Sequence, residues 1–516
     1  MTFPNQSPIL GRVTPPSPPE AESATAPDPA RARDDRSPSD DPNSHGLTDQ
    51  ELPDHESVDH RSLVHHRDFR WLWGGDALGQ LGAQLTMLAL PIYAVQHLHA
   101  SEWQMGTLTA AETAAFLVIG LPAGAWVDRM RKRRVLIVAD LVRALVLGFV
   151  VVAAFAGFAS VPLLVVAAAA ISTASVFFDV AHQSYVPGLV GLEHVVEGNS
   201  KLQATQSVAQ VAAPAIGGAL LRVIAAPALI AVNVVTYLIS AFAVGRIAHR
   251  EEPPAPETRR PMRTEIAEGL RFVVHQPILR RIVATTSLSN LGSSISGAVL
   301  VIYALRTLGL DAAAFGTLVS ASAVGGLVGA FTAARLSRLV GEARIIPVSA
   351  IGFAVGGVFF PLAAVVTVPA QVVLVVGGVI LYFFVIVYNV AQVSFRQRLC
   401  PPALLGRMNA SVRFIVWGSM PIGALLGGWL GTHLGVTATM WVSVGVGALA
   451  TLPVLISPLL RMERLPSPPA PQPSETGPSD KLSRSREPAP SDKPSGSREP
   501  GPSDEPSGSR EPGPTD

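Results

Sequence analysis

The 516-residue chain holds one cysteine, Cys400, so it has no internal disulfide framework and no cysteine pair to bind zinc. Charge is sparse: Asp, Glu, Lys and Arg make up 15% of the residues against 48% hydrophobic ones, and they gather outside the apolar runs. The formal net charge of +1 implies no polyanionic partner and therefore no nucleic acid. There is no Gly-x-x-x-x-Gly-Lys phosphate loop, no His-Glu-x-x-His and no Gly-x-Ser-x-Gly turn. Those gaps argue against an enzyme and against an ATP-driven pump in a single chain, and no cofactor or metal site is read. The first residues lack the pattern of a cleavable signal, so the first apolar span is expected to double as the insertion signal.

What is present in quantity is long apolar runs. About 20 apolar residues cross a bilayer core of ~30 Å. On that measure twelve spans are predicted, at about 71–97, 103–127, 135–158, 162–186, 202–223 and 227–248, then 279–304, 312–334, 345–366, 370–395, 411–433 and 437–460. The expected fold is an all-α integral membrane protein with both tails on one side. Residues 1–66 and 464–516 are rich in Pro, Ser and Asp and are expected to be disordered tails. The second tail carries a degenerate repeat, with Ser-Arg-Glu-Pro starting at Ser485, Ser497 and Ser509.

Basic residues orient the spans. The turn after the second span holds Arg129, Arg131, Lys132, Arg133 and Arg134 behind Asp128, and the middle connection holds eight arginines. Loops on the opposite side offer only Arg222 and Arg306. Short basic loops face the cytoplasm, so both termini are expected there.

An offset of 210 superposes His65 on His275, Arg70 on Arg280, Leu81-Gly82 on Leu291-Gly292, Asn199 on Asn409 and Gly217-Gly218 on Gly427-Gly428. The chain thus reads as two pseudo-repeated six-helix bundles, 67–248 and 279–463. Parallel halves about an axis along the membrane normal are a transporter architecture, with substrate between them. The connection 249–278 starts Pro-rich and then sets Ile266, Leu270, Val273 and Val274 on one face against Arg263, Glu268 and Arg271. It is expected to form a short helix along the cytoplasmic interface.

Gly120, Gly124, Asp128, Arg129, Arg133 and Arg134, in the turn between spans 2 and 3 of such a chain, resemble the signature of the major facilitator superfamily. Ala139–Ala144, Phe178-Asp179, Tyr185-Val186-Pro187, Glu197–Ser200 and Gly406–Ala410 extend the likeness to the drug:proton antiporter branch with macrolide-efflux and enterobactin-exporter proteins. The resemblance covers about 67–463. It implies a monomeric multi-pass transporter of a bacterial-type inner (plasma) membrane, exporting hydrophobic or amphipathic molecules in exchange for protons. Siderophore or other metabolite export is an alternative, as is a transporter-like receptor. In the second half, Arg335-Leu336-Ser337-Arg338 has no acid matching Asp128, so a latch built on that acid belongs to the first half.

Ionisable residues inside a membrane are costly and mark function by default. The candidates singled out within the spans are Asp76, Glu112, Asp140, Arg143 and Asp179, and the second-half spans hold no acid. Glu112 is nine residues past Trp103, roughly 13–14 Å deep, and is the first candidate for proton coupling. Asp76, Gln80 and Gln84 recur every fourth residue, a polar stripe expected to face a cavity. Asp140 and Arg143 are spaced to pair along one helix, and with Asp179 and the basic turn they are read as a conformational gate near the inner surface.

Overall fold

The computed structural model describes residues 63–127, 129–191, 193–249, 251, 262–401 and 404–462. Asp128, the Pro-rich start of the linker, the 464–516 tail and all but the last four residues of the 1–66 tail lie outside the described residues. The described residues are helices joined by turns, with no strand among them. The first half contains α1 (Arg67–Gln96), α2 (Glu102–Val118), α3 (Gly120–Val127), α4 (Lys132–Phe155), α5 (Val161–Val190), α6 (Val195–Leu220) and α7 (Ala226–Gly245). After the linker helix α8 (Met262–His275) come α9 (Pro277–Ile302), α10 (Ala312–Val340), α11 (Ile345–Leu362), α12 (Ala370–Leu399), α13 (Leu405–Leu434) and α14 (Val436–Leu455).

The helix ends follow local chemistry. Ser101 caps α2 in a reciprocal box with Gln104, and Asp311, at the same place in the 210-residue offset, caps α10 through the Ala314 amide. Gly191 and Gly341 end α5 and α10 at φ of 75° and 105°, backbone that favours glycine.

Ten of the described helices are long and apolar enough to cross a bilayer. Two expected spans arrive differently. The 103–127 stretch folds as α2 and α3, 17 and 8 residues long, broken at Ile119. Pro122 is the cause: it has no amide for the Val118 carbonyl, and its ring crowds that carbonyl, so α2 stops there. Residues 202–220 of the 202–223 stretch lie within α6, a continuous helix of 26 residues made more polar by Gln203, Thr205, Gln206, Ser207 and Gln210.

The packing repeats with the sequence offset. α1 lies on α7, with Gly82 against Asn233 and Thr236, and α9 lies on α14, with Gly292 against Ser443 and Val446. The first and second halves meet where α2 runs along α13 and α6 along α10. A Cβ on Gly106 would lie 2.7 Å from the Gly428 Cα, and one on Gly316 would lie 2.7 Å from the Gly218 Cα. Adding 210 converts Gly106 to Gly316 and Gly218 to Gly428, so the two contacts are copies of one another. Both sit at the end of the molecule away from the basic turn, where α2 and α10 begin. Arg306, in the π-helical turn Tyr303–Thr307 that continues α9, strengthens that end by donating to the Val95 and Ala100 carbonyls at 2.9 and 3.0 Å.

At the basic end, α8 packs on α13. Arg407 pairs with Glu268 at 2.5 Å, and Gly269 lies so close that a Cβ would be 2.6 Å from the Arg407 carbonyl. Val273 is buried, while Leu270 and Val274 on the expected apolar face are exposed.

Candidate functional site

A run of polar side chains converges inside the first half. Asp76 on α1, Asp140 and Arg143 on α4, Asp179 on α5, Gln206 on α6, and Tyr237 and Ser240 on α7 line one cavity of about 240 Å³, together with Gln80. Asp76, Asp140 and Arg143 are buried. One turn apart on α4, Asp140 and Arg143 form an ion pair. The guanidinium is held between two rings, 4.2 Å from the centre of Phe178 and 4.5 Å from that of Tyr237. A cation between aromatic faces is bound electrostatically and cannot swing to another partner without leaving both. Asp140 Oδ2 is buried without a hydrogen bond among the described residues.

His182 completes the group: its Nε2 lies 3.9 Å from Asp76 Oδ1, and its ring stacks on Phe178 at 5.7 Å. Three carboxyls thus share one guanidinium and one imidazole. Arg413, from α13 of the second half, also acts electrostatically on Asp179. With every acid ionised the site carries more negative than positive charge on its own helices, the condition under which a cationic group or a proton is attracted.

Of the sequence-derived candidates, the structure brings together Asp76, Gln80, Asp140, Arg143 and Asp179. Asp140, Arg143 and Asp179 join Asp76 rather than the basic turn, because the helices run further than the apolar pattern predicts. α5 continues to Val190, which leaves Asp179 eleven residues, roughly 16 Å, from its end. Gln84 is half-buried outside this cavity. Glu112 is half-buried on α2, and its carboxylate has no hydrogen-bond or ion-pair partner among the described residues. His182, Gln206, Tyr237 and Ser240 were not singled out in the sequence. Only His182 had a local signal, one turn along α5 from Asp179.

The basic turn stands apart. Arg133 donates to the Val244 and Gly245 carbonyls at 3.1 and 2.5 Å, which anchors the end of α7, and Lys132 donates to the Ser184 carbonyl at 3.3 Å. A cation at a helix C-terminus meets both unsatisfied carbonyls and the dipole. Arg129 and Arg134 are exposed, and Gly120 and Gly124 have open space where a side chain would go.

Comparison with known proteins agrees with this geometry. A family model described as transmembrane secretion effector matches residues 62–482. The multidrug efflux pump Tap of Mycolicibacterium fortuitum is 28% identical over 377 residues, 69% of this chain and 88% of that protein. The enterobactin exporter EntS of Citrobacter koseri is 26% identical over 79% of this chain and 96% of its own length. Among solved structures, a bacterial homologue of the iron transporter ferroportin in its inward-facing state superposes with a TM-score of 0.62 at 19% identity, over 77% of this chain and 99% of that one. A D-xylose–proton symporter gives 0.58 at 17% identity, over 77% and 98%. These structures share the fold. The family match, which spans most of the chain, makes it a multi-pass membrane transporter of the major facilitator superfamily, in the transmembrane secretion effector family.

Proposed function

We propose that the chain is a secondary active exporter that expels hydrophobic or amphipathic small molecules, macrolide-like drugs among them, from a bacterial-type cell in exchange for protons. In this reading twelve passes form two six-helix bundles, 67–248 and 279–463, with α2 and α3 together making one pass and both termini in the cytoplasm. The observation that carries it is the pair of offset-related glycine contacts, Gly106 with Gly428 and Gly218 with Gly316. They draw the two halves together at the end remote from the basic turn. Alternating access needs such a closure, made by one repeat rocking against the other. Basic loops at the other end support reading it as the cytoplasmic one.

Protons enter through the first half. Glu112 has no partner among the described residues, and Asp76 sits in a cavity richer in acids than in bases. Intramembrane acids in such settings mark proton paths. Gln80 and Gln84 extend the polar stripe from Asp76 along α1. The turn Gly120, Gly124, Asp128, Arg129, Arg133 and Arg134 acts as the cytoplasmic gate, and Arg133 ties it to α7.

A second reading is export of a siderophore or similar metabolite, favoured by the coverage of EntS, 96% of whose length aligns. Both readings are tested by proton flux in vesicles holding the purified chain, with macrolides, other drugs and catecholate siderophores offered in turn. Substrate-dependent proton movement is expected. Transport that continues unchanged after the proton gradient is collapsed removes the antiport assignment.

A further inference from the structure

α4 has two chemically different sides. Asp140 and Arg143 face the charged cavity, whereas Val138 and Val142 face outward, 57% and 38% exposed. On that outer side α4 and α5 part to leave an apolar groove of about 860 Å³. Ala139, Ala170, Ala174, Val135, Val138 and Phe177 line it. From Arg131 to Val142 it runs roughly 16 Å along the helix. At its mouth stand Arg131 and Arg134, both exposed and without an ion-pair partner among the described residues. Their neighbours Lys132 and Arg133 are engaged with backbone carbonyls.

We propose that this groove binds one acyl chain of an anionic glycerophospholipid, with the lipid phosphate held by Arg131 and Arg134. The groove's exposed lining residues Val138 and Val142 belong to a helix long and apolar enough to cross a bilayer, so a hydrocarbon chain is the occupant at hand. The charge pattern selects among lipids. Two guanidiniums at the end of a hydrocarbon-lined slot match an anionic phosphate in charge and in planar, bidentate geometry. A bound lipid would join the gate turn to α5 and weight the movement of that turn. The inference needs the membrane placement of the chain but no particular transported substrate.

Trp126 is a built-in reporter, because its ring stacks on Phe177 at 6.1 Å. The full-length chain is reconstituted into phosphatidylcholine vesicles containing a small fraction of either dibrominated phosphatidylglycerol or dibrominated phosphatidylcholine. The Trp126 signal is taken as the difference from Trp126→Phe. We expect phosphatidylglycerol to quench it severalfold more strongly at equal mole fraction. The double variant Arg131→Gln/Arg134→Gln is expected to lose that preference, and Arg129→Gln, in the same turn but outside the groove, to keep it. Filling the groove with Thr173→Leu should weaken quenching by both lipids. Equal quenching by the two lipids overturns the site. So does a preference that survives the double variant, or one that Arg129→Gln abolishes equally, since that reports a diffuse attraction to the basic turn. Because the readout is lipid contact, it stands or falls independently of export.

Discussion

Gly106 and Gly428 touch backbone to backbone, and the same contact recurs between Gly316 and Gly218, each residue displaced by 210 positions. No other residue type fits, since the Cβ of even alanine would fall within 3 Å of a facing Cα. The closure of one end of the transporter is therefore written into two glycine pairs. A valine at Gly106 or Gly316 should keep that end from closing, at about 1–3 kcal/mol for the overpacked state. Spin labels at 97 and 307, in a Cys400→Ser background, should move apart by several ångströms in either variant. Gly74→Val, at a site with nothing within 4 Å, should leave the distance unchanged.

Arg306 is the polar counterpart of those glycines. It crosses from the second half to the Val95 and Ala100 carbonyls of the first. Two such bonds, at about 1 kcal/mol net each in a partly exposed setting, shift a two-state balance roughly 30-fold. Arg306→Ala should therefore enrich the widened population between the same two labels without lowering thermal stability much. An unchanged distance distribution would show that the glycines alone hold the end shut.

Long apolar runs made most of the helices legible in the sequence, because a helix that faces lipid needs little else to define it. Pro122 was also visible, but its consequence, the break at Ile119, depends on which carbonyl loses its donor. The cavity was less legible. The sequence reads Asp140, Arg143 and Asp179 as part of the gate, because their depth depends on where α4 begins and α5 ends. Tyr237 and Ser240 look like ordinary core residues until α7 is laid against α4. The offset exposed Gly217-Gly218 and Gly427-Gly428, yet their partners Gly316 and Gly106 are set by packing between halves, which a single chain does not spell out.

Arg143 is held by an acid and two rings at once, so its loss leaves Asp140 buried and unpaired. Removing one member of a buried pair costs about 3–5 kcal/mol. Arg143→Ala should lower the thermal midpoint of the purified protein sharply, and Arg143→Lys should recover little, since an ammonium cannot lie flat between Phe178 and Tyr237. The double variant Asp140→Asn/Arg143→Gln should be more stable than Arg143→Ala alone. If instead Arg143→Lys is as stable as the parent, the ring sandwich contributes nothing.

Glu112 and Asp76 can be separated by what each neutral substitute leaves behind. Asp76 shares its cavity with His182, Asp140 and Asp179, so Asp76→Asn leaves other acids to take up a proton. It should weaken coupling without abolishing it. Glu112 has no hydrogen-bond or ion-pair partner among the described residues. If Glu112 carries the proton, Glu112→Gln should still exchange substrate down its own gradient while losing substrate-dependent proton flux and most of its response to pH. Counterflow and proton flux, measured on the same vesicles, distinguish loss of coupling from loss of binding. Coupled flux retained in Glu112→Gln but lost in Asp76→Asn reverses the assignment and moves the proton to the α1–α4–α5 cavity.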